Sequence, residues 1–495
     1  MRLQPADRVP ARRRLLSLSE DALVETGPGG DHLVVVSQWG EIRVDETSAP
    51  VRESLQRMSL GPVSVENLPI VGESFLRWKT GSRDECCEPW YRLRRVLEQL
   101  GSCVVQSLGV DDEAGPVLSV APVSPRAGFW LPQAIAPDQP IRLSTFAAVR
   151  SGGGQLLMES PVAKYEVVLH RPVAAWVTGS LGGPTTAADL AAQLGIPGPV
   201  LADILAYLVA SGMVLTGEPD APARFAEDGN PALIPWSHHD LALHARSRMG
   251  RQGGQAGAVF PYVDQLPAAP VSKPRPSGPR FPLHRPELAK VAAADPPLTE
   301  AIEDRRCYRD CAADPVTAEQ LGELLFRVAR IRWTKLVASA VGPRYMISDR
   351  PYPSTSDLYE LELYVTLDRC AGLPRGSYHY DPGEHALTLV DDSEPTISEI
   401  LDAAKVAAGS TNRPAVLITM TSRIARVSWM YSGIAYSATL RHVGMLQQTL
   451  YLVATAMGLA SCALTVGDAT TADEALRLDW PTEVSVGEFI IGVRP

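Results

Sequence analysis

Two periods of apolar and polar positions alternate along the chain, and the switches between them outline its elements. Leu33 to Val36 and Ile42 to Val44 are short β-branched runs parted by Gly40, which predicts a hairpin. A helix is predicted over 49–59, and another over 90–100 with Tyr91, Leu93, Val96, Leu97 and Leu100 inward and Gly101 as its stop. Further on, 156–158 and 167–169 predict strands. Thr186 is placed to cap a helix bearing Leu190 and Leu194, and Pro197 to Pro199 make a turn. Leu201, Ile204, Leu205 and Leu208 form the stripe of the next helix, which Gly212 can end.

These two stretches repeat each other at a constant offset. Pro50-Val51 returns as Pro172-Val173, Gly61-Pro62 as Gly183-Pro184, Ser64 as Thr186, Asn67 as Asp189 and Leu68 as Leu190, each in the same local order of strands, helix, Gly-Pro turn and further helices. The register slips before the last helix of the first copy. A small sheet with three helices in this order resembles a winged helix. Between Arg142 and Glu218, however, four basic residues face five acidic ones, so a peptide accepted along an exposed strand edge near Val167 fits better than DNA. Arg92, Arg94 and Arg95 in the first copy read as a solvated helix face.

Between these copies and the C-terminus the texture changes twice. A stretch rich in Pro, Gly and Ala, with Gly253-Gly254, Pro267, Pro270, Pro274, Pro276 and Pro279, predicts an extended connection that wraps over a surface. Within it, Trp236 to Gly250 predicts one amphipathic helix, whose His238, His239 and His244 lack the Glu or Cys that would complete a metal-ligand set. After it, helices over 298–305, 318–330, 398–408 and 434–457 mix with strands over 361–367, 385–390, 415–420 and 486–493. The expected organisation is a flexible lead-in (1–28), a first winged-helix-like module (29–135), a second (136–218), the connection (219–297) and an α+β domain (298–495).

Composition narrows the function classes. The 495 residues carry a net charge of −10, a field that repels nucleic-acid phosphates and anionic bilayers. No run approaches the about 18 apolar residues of a membrane-spanning helix, and the Arg8 to Arg14 region is followed by only Leu15-Leu16, so a signal peptide is not expected. Seven scattered cysteines do not make a disulfide framework and point to a reducing, cytoplasmic setting.

Candidate chemistry sits in the last domain. Arg305, Arg306 and Arg309 place three guanidiniums in five residues, a set able to hold one phosphate through forked hydrogen bonds. Cys307 and Cys311 read as a site thiol and a buried thiol, not a redox pair. Tyr436, His442, Gln447 and Gln448 lie on the predicted long helix at spacings that say core and dimer contact.

The motifs RRCYRD, RPYPSTSDLYELELYV, GLPRGSYHYDPGEHAL, VSWMYSGIAYSATLRHVGMLQQTLYLVATAMGLASCAL and SVGEFIIG resemble the flavin-dependent nitroreductase fold. More narrowly, they resemble its SagB/ThcOx branch of peptide azoline dehydrogenases, and HHDLALHARSRMGR in the connection looks like that branch too. The resemblance implies an α+β domain binding FMN, with the phosphate held at Arg305, Arg306, Cys307 and Arg309. It places Pro353, Ser354, Thr355, Ser356 and Asp357 along the isoalloxazine ring, and backbone from Leu464 through Thr465 to Gly467 at flavin N5. It further implies a homodimer with FMN at the subunit interface, an azoline-containing precursor peptide as substrate and a cyclodehydratase as partner.

The reaction so implied is oxidation of a thiazoline or oxazoline to the aromatic ring, with a base taking the α-proton while hydride leaves the adjacent ring carbon. Where the family carries a Lys-Tyr pair this chain reads Met430-Tyr431, leaving Tyr431 as the catalytic candidate, its pKa to be lowered by Arg423 or Arg426. Cys307 stands for a Ser, Ser356 for a Gly and Asp357 for an Asn. Two rival readings follow: a degenerate scaffold that presents precursor peptide to a cyclodehydratase, which would lack flavin, and a general NAD(P)H-dependent nitroreductase.

Overall fold

The computed structural model describes residues 11–110, 115–132, 135–218, 224–248, 250, 257–338 and 342–495. The chain divides into two compact units, residues 1–255 and 256–495.

In the first unit one antiparallel seven-stranded sheet runs through both repeats. Its order is Val63–Ser64, Arg12–Leu18, Val104–Val110, Leu118–Pro122, Tyr165–Leu169, Gln155–Glu159 and Ala148–Gly152. The first repeat adds the three-stranded sheet Leu23–Thr26, Leu33–Ser37, Gly40–Val44 and the helices Ala49–Ser59, Val71–Lys79 and Glu88–Gln99. The second carries Pro172–Gly179, Ala187–Leu194 and Gly198–Ala210. Pro50 and Pro172 both stand in the first turn of their helices, where a missing N–H is harmless. Thr186 caps as expected, its hydroxyl accepting from the Asp189 amide at 3.1 Å.

Two expectations change here. Residues 11–28 are not a loose lead-in: Arg12–Leu18 pairs along its whole length with Val104–Val110 because Leu16 and Leu18 point into the core. Residues 1–10, Met249 and Gly253-Gly254 lie outside the described residues. Nor do the repeats carry separate main sheets, since Gln106, Ser107 and Leu108 pair with Val120, Ser119 and Leu118 across the join. The Tyr207 hydroxyl on the last helix donates to the Ser107 carbonyl at 3.1 Å, tying the halves together. The helix predicted over 236–250 is His238–Arg246, because Ser237 caps it by accepting from the Asp240 amide.

The second unit is built on another antiparallel seven-stranded sheet, in the order Arg280–Pro282, Ala386–Asp391, Gly376–Asp381, Leu361–Leu367, Val416–Ser422, Val484–Val493 and Leu459–Leu464. Ala318–Ala329 and the long helix Ala435–Ala456 pack on one face, against Leu361, Leu363, Val365, Ile418 and Ile491. Glu394–Ala408 and Ala469–Ala475 cover the other, against Tyr364, Leu417 and Ile490. The strand Leu361–Leu367 is therefore buried on both faces, and its one carboxylate, Glu362, is met by His379 Nε2 at 3.0 Å and Arg423 Nε at 2.8 Å. Burial alone would raise the Glu362 pKa, but the His379 hydrogen bond and the Arg423 charge outweigh it and bring it to about 2.

The connecting segment is part of this unit from residue 257 onward. Gly257-Ala258 pairs antiparallel with Tyr431-Ser432, and the Phe260 amide donates to the Met430 carbonyl at 3.0 Å. Arg423 and Arg426 then donate to the carbonyls of Ala269, Pro270 and Val271. No helix among the described residues is long and apolar enough to cross a membrane.

Candidate functional site

The turn before strand Leu361–Leu367 is bent against its side chains. Ser356, Asp357 and Tyr359 all take left-handed backbone angles, with φ of 51°, 53° and 48°. Such angles disfavour residues with a Cβ by about 1 kcal/mol or more each. Surrounding polar groups hold them. The Ser354 hydroxyl accepts from the Tyr359 amide at 3.1 Å, and His442 Nε2, from the long helix, accepts from the Thr355 amide at 2.8 Å. An Nε2 that accepts a backbone N–H leaves the ring proton on Nδ1, which donates to Glu360 Oε1 at 2.7 Å. Both partners are fully buried, at 1% and 0% exposure, so the Glu360–His442–Thr355 chain is a fixed strut beneath the turn.

Tyr431 reaches the same turn. Its hydroxyl lies 2.6 Å from Ser356 Oγ, the shortest side-chain contact of the Pro353 to Asp357 stretch. Tyr345 belongs to this group as well: its pKa is raised by burial first, then by Tyr431 and Asp357. Arg423 and Arg426 do not serve Tyr431. Their donors go to Glu362 and to the carbonyls of Ala269, Pro270, Val271, Leu358 and Met346, so the guanidinium expected beside the tyrosine is engaged elsewhere. Met430 is buried in an apolar cluster with Phe260, Leu358, Val427, Trp429 and Ala438, against which Tyr431 and Tyr345 also pack.

The arginine cluster follows the short helix Leu298–Asp304. Arg305, Arg306 and Arg309 are exposed, and among the described residues no carboxylate pairs with any of them. Arg305 lies over the Tyr451 ring of the long helix at 5.3 Å, and the Tyr308 amide donates to the Ser461 carbonyl, fixing the cluster on strand Leu459–Leu464. Cys307 departs from expectation. Its sulfur forms a disulfide with Cys462, so its side chain has no proton to give a phosphate, and the scattered cysteines do include one bridge. Cys311 is not its partner.

Leu464 ends that strand, and Thr465 and Gly467 are exposed just beyond it. A Cβ at Gly467 would stand 2.8 Å from the carboxyl of Glu488, which sits opposite Leu464 on strand Val484–Val493. Glu488 is 6% exposed, and burial, then Asp468, push its pKa up to about 7. Periodicity gave no sign of Glu360, His442, Tyr345 or Glu488. The available signal was charge inside apolar stretches: Glu360 and Glu362 in LYELELYV, Glu488 in VGEFII.

Two family models match the chain: the cyanobactin oxidase ThcOx model over residues 141–253 and the nitroreductase family model over 302–493. Residues 302–493 form a nitroreductase-like domain. A Methanocaldococcus jannaschii protein named as a nitroreductase is 26% identical over 167 residues, 34% of this chain and 77% of its own. Among solved structures, a nitroreductase-like protein of Ralstonia eutropha is 20% identical, covering 46% of this chain and 99% of its own at a TM-score of 0.34. A chain of the E. coli microcin synthetase McbBCD complex is 17% identical, covering 39% and 73% at a TM-score of 0.32. Both scores are low, and the assignment rests on the family models. The stretch matched by the nitroreductase model contains every candidate site residue, and the ThcOx match ends in the connection that precedes it.

Proposed function

We propose that the protein is an FMN-dependent dehydrogenase that oxidises thiazolines or oxazolines in a ribosomally made precursor peptide to thiazoles or oxazoles. The ThcOx match beside a nitroreductase-like domain supports an oxidase that modifies peptides. The observation that carries the finer reading is the Tyr431–Ser356 contact, which brings the one retained member of the family's base pair onto the turn assigned to the flavin ring.

The residues present fit FMN. Three exposed guanidiniums with no carboxylate partner among the described residues suit a phosphate dianion, although Cys307 offers only its backbone. Asp357, whose carboxylate has no hydrogen bond among the described residues, can accept from a ring N–H. Bound FMN would supply the two-electron acceptor. The chain's own part is to orient and to move a proton. The Glu360–His442–Thr355 strut keeps the turn in its left-handed form, and Ser356 holds the Tyr431 oxygen against it. Tyr431, as its phenolate, would take the proton from the carbon next to the peptide carbonyl and become the neutral phenol, and the strand Gly257-Ala258, paired to Tyr431-Ser432, holds the tyrosine's backbone in place.

The proposal includes a cytoplasmic homodimer, the azoline peptide as substrate, a cyclodehydratase as supplier of the rings, and winged-helix-like modules at 29–135 and 136–218. The test is a visible spectrum of the purified protein with released flavin identified, followed by mass analysis of a thiazoline peptide incubated in air. One FMN per chain and a loss of two hydrogens per ring are expected. The buried Met430 and the bridged Cys307 favour a second reading, the peptide-presenting scaffold, which protein that takes up no added FMN and leaves the peptide unchanged would establish.

A further inference from the structure

Strand Val484–Val493 carries a buried acid that the proposed chemistry does not use. Glu488 is 6% exposed, and among the described residues its carboxyl has no hydrogen bond and no ion pair. Its neighbours across the sheet are Leu464 on one side and Thr419 on the other, and the Thr419 hydroxyl is itself buried without a hydrogen bond among the described residues. A carboxylate in such a place gives up hydration and gains no partner, so the neutral acid is the form that suits it.

The acid stands directly behind the turn that follows strand Leu459–Leu464. A Cβ on Gly467 would lie 2.8 Å from both carboxyl oxygens, so glycine is what lets the acid reach the main chain there. Asp468 comes next, kept ionised by accepting the Thr471 amide at 3.0 Å, and its charge adds to burial in raising the Glu488 pKa to about 7. The other polar groups packed on this strand are engaged or exposed. Asp473 accepts from the Ser485 amide at 3.2 Å, and Gln447 on the long helix donates to the Glu488 carbonyl at 3.5 Å. Glu474 and Arg441 are exposed, and His442 is held by Glu360.

The outer side of the turn is open: Thr465 and Gly467 are exposed, and the apolar Val466 is 70% exposed. The flavin reading, on which this inference rests, puts the ring there. We propose that Glu488 is a positioning residue for FMN, which as the neutral acid permits the ring to cover the Leu464 to Gly467 turn and as the carboxylate opposes it. Ionisation sets a second negative charge across Gly467 from Asp468, and that charge depends on water for its stabilisation because no protein group supplies it among the described residues. A ring seated on the turn removes water from the same place. FMN binding and the Glu488 proton are therefore coupled: the proton favours the flavin, and the flavin favours the proton.

The test titrates the full chain, freed of flavin, with FMN from about pH 5.5 to 8.5 and follows the quenching of flavin fluorescence, for the native protein and for Glu488→Gln. The FMN phosphate titrates in this range with both proteins, so it cancels in the ratio of their dissociation constants. That ratio should be level below about pH 6 and rise about tenfold by about pH 8, where one chain in about ten still carries the Glu488 proton. Asp468→Asn keeps a residue able to cap the Thr471 amide and removes the opposing charge, so it should move the weakening to lower pH. Should Glu488→Gln fail to fold, native protein against Asp468→Asn, at an exposed residue, decides. FMN bound with a level ratio, or a weakening that Asp468→Asn does not move, would overturn the proposal and leave the flavin reading standing. Protein that takes up no FMN at any pH would overturn both.

Discussion

Glu488 makes the stability of this protein depend on pH in an unusual direction for a carboxylate. Its pKa in the folded chain is about 7, against an ordinary value of 4.5, because the carboxyl is buried beside Gly467 and faces the charge of Asp468. Between those two values the folded chain holds a proton that the unfolded chain has released, so folding is favoured by the proton. Stability from this group is complete below pH 4.5 and is lost as pH rises through about 7. The difference of about 2.5 pH units corresponds to about 3 kcal/mol at 1.36 kcal/mol each, a large part of a typical folding free energy. Urea unfolding of the native sequence and of Glu488→Gln, compared from pH 4.5 to 8, isolates the contribution, since all other titrations cancel in the difference. The native protein should lose about 3 kcal/mol relative to the variant across that range. Parallel curves would show that Glu488 titrates as an ordinary carboxylate and that its burial is not felt as charge.

Glu362 runs oppositely: held near 2, it stabilises the fold above its ordinary 4.5, and urea midpoints of the native protein, compared with Glu362→Gln, should fall as pH drops from 4.5 toward 2. His442→Ala should strand the buried Glu360 carboxylate and lower unfolding free energy by about 3 to 5 kcal/mol, with FMN uptake weakened in a flavin titration. Replacing Arg305, Arg306 and Arg309 together by Gln should abolish FMN retention on gel filtration while leaving the thermal midpoint within a few degrees, since among the described residues none is paired with a carboxylate. Tyr431→Phe should reduce azoline oxidation by about 10²- to 10⁴-fold without loss of bound FMN, measured by peptide mass against time.

Local patterns carried much of the architecture into the sequence. The helix at 49–59, the Thr186 cap and the strand at 361–367 follow from features within a few residues of each other, and so could be read directly. What escaped depends on pairing across long separations. The strand at 12–18 is stabilised by residues 104–110, and its Arg-rich half hides the period-2 alternation that would reveal it. Strands 376–381 and 459–464 were missed because each is defined by the neighbour it pairs with. In the site, the clusters at 305–309 and 353–357 were legible as motifs. His442 was not, because at helical spacing an inward histidine looks like any core position until its two nitrogens are seen to engage Thr355 and Glu360.

The exchange of lysine for Met430 changes meaning in this light. A lysine at that position would enter a pocket formed by Phe260, Leu358, Val427, Trp429 and Ala438, where an ammonium ion has no partner and loses its hydration. Methionine fills the same space at no electrostatic cost, and the connecting strand closes over it through the Phe260 amide and Gly257-Ala258. Ser356, where the resemblance implies a glycine, supplies the hydroxyl that meets Tyr431. As a phenolate, Tyr431 would accept from the Ser356 hydroxyl on the turn before it takes the substrate proton. Ser356→Gly therefore tests the link. If the pair works as a unit, that variant should lose nearly as much activity as Tyr431→Phe, and the double variant little more than either alone.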